Sequence, residues 1–395
     1  MPETATPASP TFGLHALRVL TDNAAHLLGD LRQRMLEPRP RKEPPVFHGG
    51  QVAALCGIDV RQQNYLRAHR DLPQGQPAGP GGRRSYTLAE TRTWIKALLE
   101  VPRRPQGASA CTIATVNFKG GSGKTTTTMH LAQSLSLLGR DVLVLDLDPQ
   151  GSATALAGWL PGTDVTEKDT ALAIFRPEAD APKDLSYAVR PSYWDGIDIV
   201  PATPDLFAAE GLLPQMANHD SVSWWALLYD ALQPLRARYD YILIDTAPSL
   251  SYMAVNAAMA ADGLLMPLPA ENLDYASSVS YWTLLQDLMV TLGEGYGVQK
   301  DFAFMRVLLN KVDATNMASA MVRERILQTY GPYILPVEIP RSPVTSLGGL
   351  QFGTLYDMTK YEGSARTYTK LRDATDHVAR LIDALAFSTV WSAAA

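Results

Sequence analysis

The stretch NFKGGSGKTTTTMHLAQSLSLLG (117–139) constrains this chain more than any other. It follows the apolar run CTIATV and crowds glycines into a short loop before a helical pattern begins. A Gly-rich loop that leaves a strand and opens a helix directs several backbone N–H groups at one point. The positive end of the helix dipole adds to them, which makes the pocket selective for phosphate. In the motif G-x-x-x-x-G-K-[ST] the lysine reaches the β/γ-phosphates and the hydroxyl holds Mg²⁺. Here Gly123, Lys124 and Thr125 supply that end, with Gly120, Gly121, Ser122 and Thr126 as the neighbouring phosphate cradle. The usual first glycine falls on Phe118, and Lys119 follows it, so the loop reads K-G-G-x-G-K-T.

Beyond the loop, residues 110–387 alternate apolar runs with amphipathic helical stretches. The runs are CTIATV, DVLVLD, GIDIV, YDYILID, DGLLMPL, FAFMRVLLN and YILPVEI. Several are apolar throughout, as strands buried on both faces should be. This alternation predicts an α/β fold, a mostly parallel sheet with helices on both faces, closed by a last helix over DATDHVARLIDALAF. At 395 residues, with 46% apolar and 19% charged, the chain has enough for two or three domains and is not mainly disordered. No apolar run approaches the ~20 residues of a bilayer span. The start MPETATPASPTFG lacks the pattern of a secretory signal. The two cysteines, Cys56 and Cys111, make neither a disulfide framework nor a zinc site and suit the cytoplasm.

Charge divides the chain. Residues 1–107 carry a net +6 and the remainder −11, which suggests that the front end meets a polyanion. Three pieces are expected: 1–45, 46–107 and 108–395. Residues 1–10 read as unstructured. Leu14, Leu17, Ala24, Leu28, Leu31 and Met35 alternate threes and fours with Thr21 as the one polar gap, the spacing of an amphipathic helix that packs on a neighbour or self-associates. The breaker-rich EPRPRKEPP (37–45) then reads as a linker.

The middle piece reads as helix (GGQVAALCGI, turning at Gly57), helix (DVRQQNYLRAHRDL, with Asp59 as N-cap), Gly/Pro-rich loop, and helix (TLAETRTWIKALLE). In the last helix Thr87 and Glu90 sit at capping-box spacing. That is the outline of a winged helix-turn-helix. Its second helix offers Arg61, Gln62, Gln63, Asn64 and Arg67 to a major groove, and Arg83 and Arg84 stand where a wing would touch the backbone. GGRRSYT resembles the G-x-R-x-Y-T stretch of MerR-type winged helices. RRPQG (103–107) reads as the next linker.

The loop with its second lysine resembles the deviant phosphate loop of the ParA/MinD ATPases, and further segments agree in order and spacing. VLVLDLDPQGSAT resembles the family's D-x-D-P-Q-G segment, and YILIDTAPSL its magnesium-binding and switch segment. IDIVPATPDL and VLLNKVD match family strand ends. The resemblance implies an ATPase cycling between ATP and ADP with Mg²⁺. Asp148 would orient the attacking water and Asp245 would hold Mg²⁺ through water, with Asp146 a second candidate near the metal. Asn310 would contact adenine. Lys119 would reach the phosphates bound by a partner subunit, so the competent form would be a homodimer.

Three functions stand within this resemblance. One is a partition motor of a plasmid or secondary replicon, nucleoid-associated, binding DNA without sequence preference and stimulated by a ParB-like centromere-binding partner. In that case the winged helix would repress the protein's own operon. The second is a MinD-like surface-positioning ATPase, which needs a basic amphipathic C-terminus; here no Lys or Arg follows Arg380, and no membrane partner is expected. The third is a nucleotide-sensing repressor. The basic front favours the motor. Arg341, Lys360, Arg366, Lys370 and Arg372 are candidates for the nonspecific DNA surface. Cys111, Trp224 and Trp225 read as core, the tryptophans within a helix, and the seven histidines show no metal spacing.

Overall fold

The computed structural model describes residues 13–36, 42–78, 83–176, 181–217, 223–313, 315–344, 353–358 and 363–392. Residues 1–10, most of the first expected linker (37–41) and Lys360 lie outside them, as do the side chains of Leu28, Leu31 and Met35. The chain divides into two units, Met1–Glu43 and Pro44–Ala395. In the first, the expected helix is α1 (Leu14–Leu36), with Leu14, Leu17, Leu20 and Leu27 exposed.

The second unit begins with β1 (Phe47–His48), α2 (Gly49–Leu55), α3 (Val60–His69), β2 (Gln76–Pro77), β3 (Arg84–Tyr86) and α4 (Leu88–Leu98). The three strands form a small antiparallel sheet in the order β1-β3-β2. Both expected caps are present. Asp59 accepts from the Gln62 amide at 2.7 Å, and Thr87 and Glu90 cap each other's backbone. Val52, Tyr86, Leu88 and Trp94 are buried, in one continuous apolar cluster with Cys111, Ile113 and Leu135.

All seven apolar runs then become strands: β4 (Cys111–Thr115), β5 (Val142–Asp146), β7 (Ile197–Val200), β8 (Tyr241–Asp245), β9 (Gly263–Pro269), β10 (Phe304–Val312) and β11 (Ile334–Pro340). The two-residue β6 (Arg190–Pro191), too short to leave a sequence signal, adds an antiparallel edge on β7. The sheet order is β11-β10-β9-β4-β8-β5-β7-β6, parallel apart from that edge.

Between the strands lie α5 (Lys124–Ser136), α6 (Ser152–Leu156), α7 (Ala209–Ala217), α8 (Leu227–Arg236), α9 (Tyr252–Ala260), α10 (Asn272–Tyr296), α11 (Met317–Tyr330) and α12 (Ala365–Leu385). Alternate strand residues enter opposite cores. Ala114, Leu143 and Ile244 face the layer of α8 and α9, while Ile113, Val144 and Leu243 face α5 and α12. Cys111 is core, as are Trp224 and Trp225. The tryptophans sit in a turn before α8 rather than within a helix, stacked edge-on at 5.8 Å, with the Trp224 carbonyl held by Asn256.

The small unit is fastened to the sheet layer. Buried Arg92 of α4 donates to the carbonyls of Ser136 and Arg140 and to the Asp141 carboxylate, and Lys96 joins it on Asp141 at 2.8 Å. Gly196, at φ +82°, is required by this contact, because a Cβ there would lie 1.9 Å from the Arg92 guanidinium carbon. The expected second linker is pinned as well. Arg103 donates to the Lys96 carbonyl, and Arg104 donates to the carbonyls of Ala108, Arg236 and Ala237.

Candidate nucleotide site

The central strand β4, between β8 and β9, delivers the glycine loop to the C-terminal edge of the sheet. Asn117 shapes the loop's start: its Oδ1 accepts from the Lys119 amide and its Nδ2 donates to the Pro267 carbonyl, both at 2.9 Å. Gly121 and Gly123 adopt left-handed φ of +77° and +96°. Gly123 has a second constraint, since a Cβ there would meet Asn310 Nδ2 at 2.4 Å. α5 begins at Lys124, so its free N–H groups open onto the loop.

Lys124 is buried and its Nζ donates to the Lys119 carbonyl at 3.3 Å. Burial lowers its pKa, and the charges of Asp245 and Asp148 oppose that shift. Asp146 and Asp245 are paired in register at the ends of β5 and β8, both fully buried. Asp146 has its partners: Oδ2 accepts from the Thr154 amide at 2.8 Å and hydroxyl at 2.7 Å, and Oδ1 from the Asp148 amide at 3.1 Å. Its place is to hold the loop after β5, and those bonds leave it poorly disposed toward a metal.

Asp245 differs. Its Oδ2 is buried without a hydrogen-bond partner. Burial, with Asp146 adding to it, pushes the carboxyl up to about 8, while the neighbouring Thr125 hydroxyl and Lys124 pull the other way. An orphaned, desolvated carboxylate oxygen beside Thr125 fits Mg²⁺, which takes one or two protein ligands and completes its shell with phosphate oxygens and water. Among the described residues no group of three or more His, Cys, Asp or Glu stands ready to hold a metal without such help. The Ser122 hydroxyl is likewise buried and unpartnered in the cradle. Asp148 is half-buried, with Oδ1 accepting from the Gln150 amide at 2.9 Å.

Asn310 braces the loop. Its Nδ2 donates to the Ser122 carbonyl at 2.8 Å and its Oδ1 accepts from the Lys311 amide at 2.9 Å, so both ends of the expected adenine contact are engaged within the chain. Lys311 was not singled out in the sequence. It has a left-handed φ of +52°, the only non-glycine among the described residues to do so, and its ammonium donates to the Gly121 carbonyl. The lysine after the asparagine of VLLNKVD was the available signal. Beyond Gly123 opens a cleft of about 280 Å³ lined by Thr126, Asn310, Lys311, Pro340 and Arg341. Arg341, expected on a DNA surface, therefore borders the nucleotide cleft. Lys119 pairs with Asp274, in the first turn of α10 of its own chain.

The expected DNA contacts divide. Arg61, Gln62 and Asn64 are exposed on α3, but Gln63 is 1% exposed, because helical spacing turns it inward beside Leu66; Arg67 is half-buried. Exposed Tyr65, which sequence reasoning passed over, stacks on His69 with centroids 4.2 Å apart. Arg83 is exposed, whereas Arg84 donates to the Gln74 and Gly75 carbonyls and ties the base of the wing. Arg366 and Lys370 are exposed on α12. Arg372 is not a free cation: it lies 3.9 Å over the Tyr356 ring and pairs with Asp376 at 3.1 Å. Among the described residues no helix is long and apolar enough to cross a membrane.

Comparison with known proteins agrees with this geometry. A family model described as AAA domain matches residues 110–288. Protein SopA of Escherichia coli K12 is 31% identical over 327 residues, covering 81% of this chain and 82% of SopA. A putative replication protein A of Sinorhizobium fredii is 29% identical, covering 91% of this chain and 89% of its own length. A solved structure titled Partition Protein superposes with a TM-score of 0.67 at 19% identity, over 94% of this chain and 98% of that one. Cobyrinic acid a,c-diamide synthase of Mycobacterium smegmatis, solved with an ATP analogue and magnesium, shares the fold at a TM-score of 0.53 and 24% identity, over 71% of this chain and 96% of its own. The sheet, the glycine loop and the relationship to SopA over most of both chains lead to one assignment: this chain belongs to the ParA/SopA family of plasmid-partition ATPases.

Proposed function

We propose that the chain is an ATP-driven partition motor that also represses its own operon. The observation that carries this is the union, in one fastened unit, of the K-G-G-S-G-K-T cradle with a helix pair that presents Arg61, Gln62 and Asn64 outward. Lys124 and the amides at the start of α5 would receive the phosphates. Thr125 directly, and Asp245 through water, would hold Mg²⁺, whose chemistry is to neutralise charge on the phosphate oxygens. Asp148, half-buried at the cradle's edge, would orient and polarise the attacking water. Lys119 would supply positive charge to the phosphates of a second subunit, the logic of a cation donated in trans. The ATP-bound homodimer would then bind nucleoid DNA through phosphate contacts, with Arg366 and Lys370 as candidates. A ParB-like centromere-binding protein would stimulate hydrolysis and release.

The test uses the full chain. Binding is titrated with salt on DNA from upstream of its own gene and on a scrambled duplex, with ATP, ADP or no nucleotide, for the parent and for Gln62→Ala/Asn64→Ala. The parent should prefer its own upstream DNA, and the variant should lose that preference while keeping ATP-dependent binding to both duplexes. If ATP does not enhance binding to scrambled DNA, the motor has no track, and a nucleotide-sensing repressor is the better account.

A further inference from the structure

Lys119 has two destinations, and the structure records one of them. Its ammonium is held by Asp274, whose side chain is 3% exposed; among the described residues it is the only cation paired with that carboxylate. The loop is attached to α10 at a second point. Phe118, standing where the usual motif has its first glycine, packs edge-on against buried Tyr281 with ring centroids 5.0 Å apart. Asp274 and Tyr281 are seven residues apart, two turns along one face of α10. The residues that make this loop deviate from the usual motif, Phe118 and Lys119, are therefore both anchored on the same helix stripe.

Moving Lys119 to another subunit would strip a deeply buried carboxylate of the cation it pairs with, a costly change even where the intact pair contributes little. Lys119 is also held through its backbone. Its carbonyl accepts from Lys124 Nζ, and its amide donates to Asn117 Oδ1. Phosphates entering the cradle compete for the Lys124 ammonium and so withdraw one of these restraints from within the same chain.

We infer that Asp274 is a positioning residue that withholds Lys119 from a second subunit until nucleotide is bound, and so sets the ATP concentration at which the dimer forms. This rests on the cross-subunit role of Lys119 proposed above. Two states of one side chain are involved, Lys119 on Asp274 and Lys119 on a partner's phosphates, and Asp274 favours the first.

The experiment is sedimentation velocity of the full chain across a range of a slowly hydrolysed ATP analogue, for the parent, Asp274→Asn, Lys119→Ala and the double variant. Asp274→Asn should reach half-dimer at an analogue concentration lower by about tenfold, a modest share of what breaking a buried pair does to an equilibrium. Lys119→Ala should form no dimer in either background. A merely structural Asp274 would lower the melting temperature and leave the midpoint where it was or raise it. That outcome, with Lys119 still required, overturns the role of Asp274 alone. A normal dimer in Lys119→Ala overturns the cross-subunit role beneath it. Should Asp274→Asn fail to fold, amine labelling of Lys119 in the parent decides. Held below the dimerising concentration, Lys119 should label faster once the analogue is added, and an unchanged rate overturns the inference.

Discussion

The two ends of α5 are built from similar residues and differ in what they leave unsatisfied. At the C-terminal end charges are closed on one another: Arg92 and Lys96 on Asp141, and Arg140 on both oxygens of Asp383, which also accepts from the Tyr241 hydroxyl. At the N-terminal end Asp245 keeps a buried oxygen without a partner, Ser122 a buried hydroxyl, and Lys124 only one long bond to a carbonyl. Charge density alone does not separate a structural junction from a binding site. The separation lies in whether the buried polar groups have found their partners within the chain.

The largest expected effect lies at the unsatisfied end. Asp148→Ala removes the carboxylate poised beside the cradle but none of the groups that would receive phosphate. Hydrolysis should fall by about 10²–10⁴-fold, the range of a lost general base, with ATP affinity retained. Single-turnover kinetics beside calorimetric titration check this. Parental turnover would transfer the role elsewhere, and Asp146 is a poor successor because Thr154 and the Asp148 amide already occupy it.

Next comes a paired test of the two ends. Asp383→Ala leaves the buried Arg140 guanidinium without its carboxylate and should cost about 3–5 kcal/mol of stability with ATP binding intact. Lys124→Ala should do the reverse. Burial already lowers the pKa of that ammonium, so its removal relieves desolvation, and the denaturation midpoint should hold or rise while ATP binding is lost. Equal destabilisation by both variants would erase the distinction between the ends.

A smaller effect is expected on acidification. His130 of α5 is buried, accepts from the Leu355 amide at Nε2, and faces Tyr356, Asp357, Arg372 and Asp376. Burial lowers its pKa to about 4 from an ordinary 6.5. The unfolded chain therefore binds this proton more readily than the folded one, and the contribution is fully present above about 6.5 and lost as pH falls toward 4. Its size is up to about 3 kcal/mol. Urea unfolding between pH 7.5 and 4.5 should show a shallower dependence for His130→Gln than for the parent, and parallel curves would remove His130 from the account.

What was legible in the sequence follows from how far each contact reaches. The glycine loop, the seven strands and both caps are local patterns, and they are where the sequence places them. Gln63 looked like part of a polar reading face because its neighbours are polar; its inward turn depends on the position of Leu66 in the packed unit. Lys311 touches Gly121 from 190 residues away, and nothing between them reports that contact. The tightness of RRPQG was hidden for the same reason, since two of the three carbonyls that Arg104 finds lie beyond residue 230. Asp245 was legible as a strand-end carboxylate, but its unpartnered oxygen belongs to the folded site.

The smallest effect tests the comparison of satisfied and free groups outside the nucleotide site. Arg366, Lys370 and Arg372 lie within seven residues of α12 and looked equivalent as DNA contacts. Helical spacing separates them. Lys370 and Arg366, one turn apart, share an exposed face, and by the same spacing His377 and Arg380 continue it, with Asp373 interrupting. Arg372 points elsewhere, its guanidinium stacked on Tyr356 and closed by Asp376; burial works against its charge, and Tyr356 and Asp376 more than offset that, so it stays charged and engaged. A cation that neutralises a DNA phosphate contributes about 0.9 to the slope of log affinity against log salt. Lys370→Ala and Arg366→Ala should each flatten the slope of the ATP-bound protein on scrambled duplex by about that amount. Arg372→Ala should leave the slope unchanged and lower the melting temperature instead, because it takes the guanidinium from Asp376, leaving that carboxylate only the Ser134 and Tyr356 hydroxyls among the described residues, and uncovers Tyr356. A slope change for Arg372→Ala equal to that of Lys370→Ala would mean that the stack opens on DNA, and the distinction between satisfied and free cations would then fail on this helix.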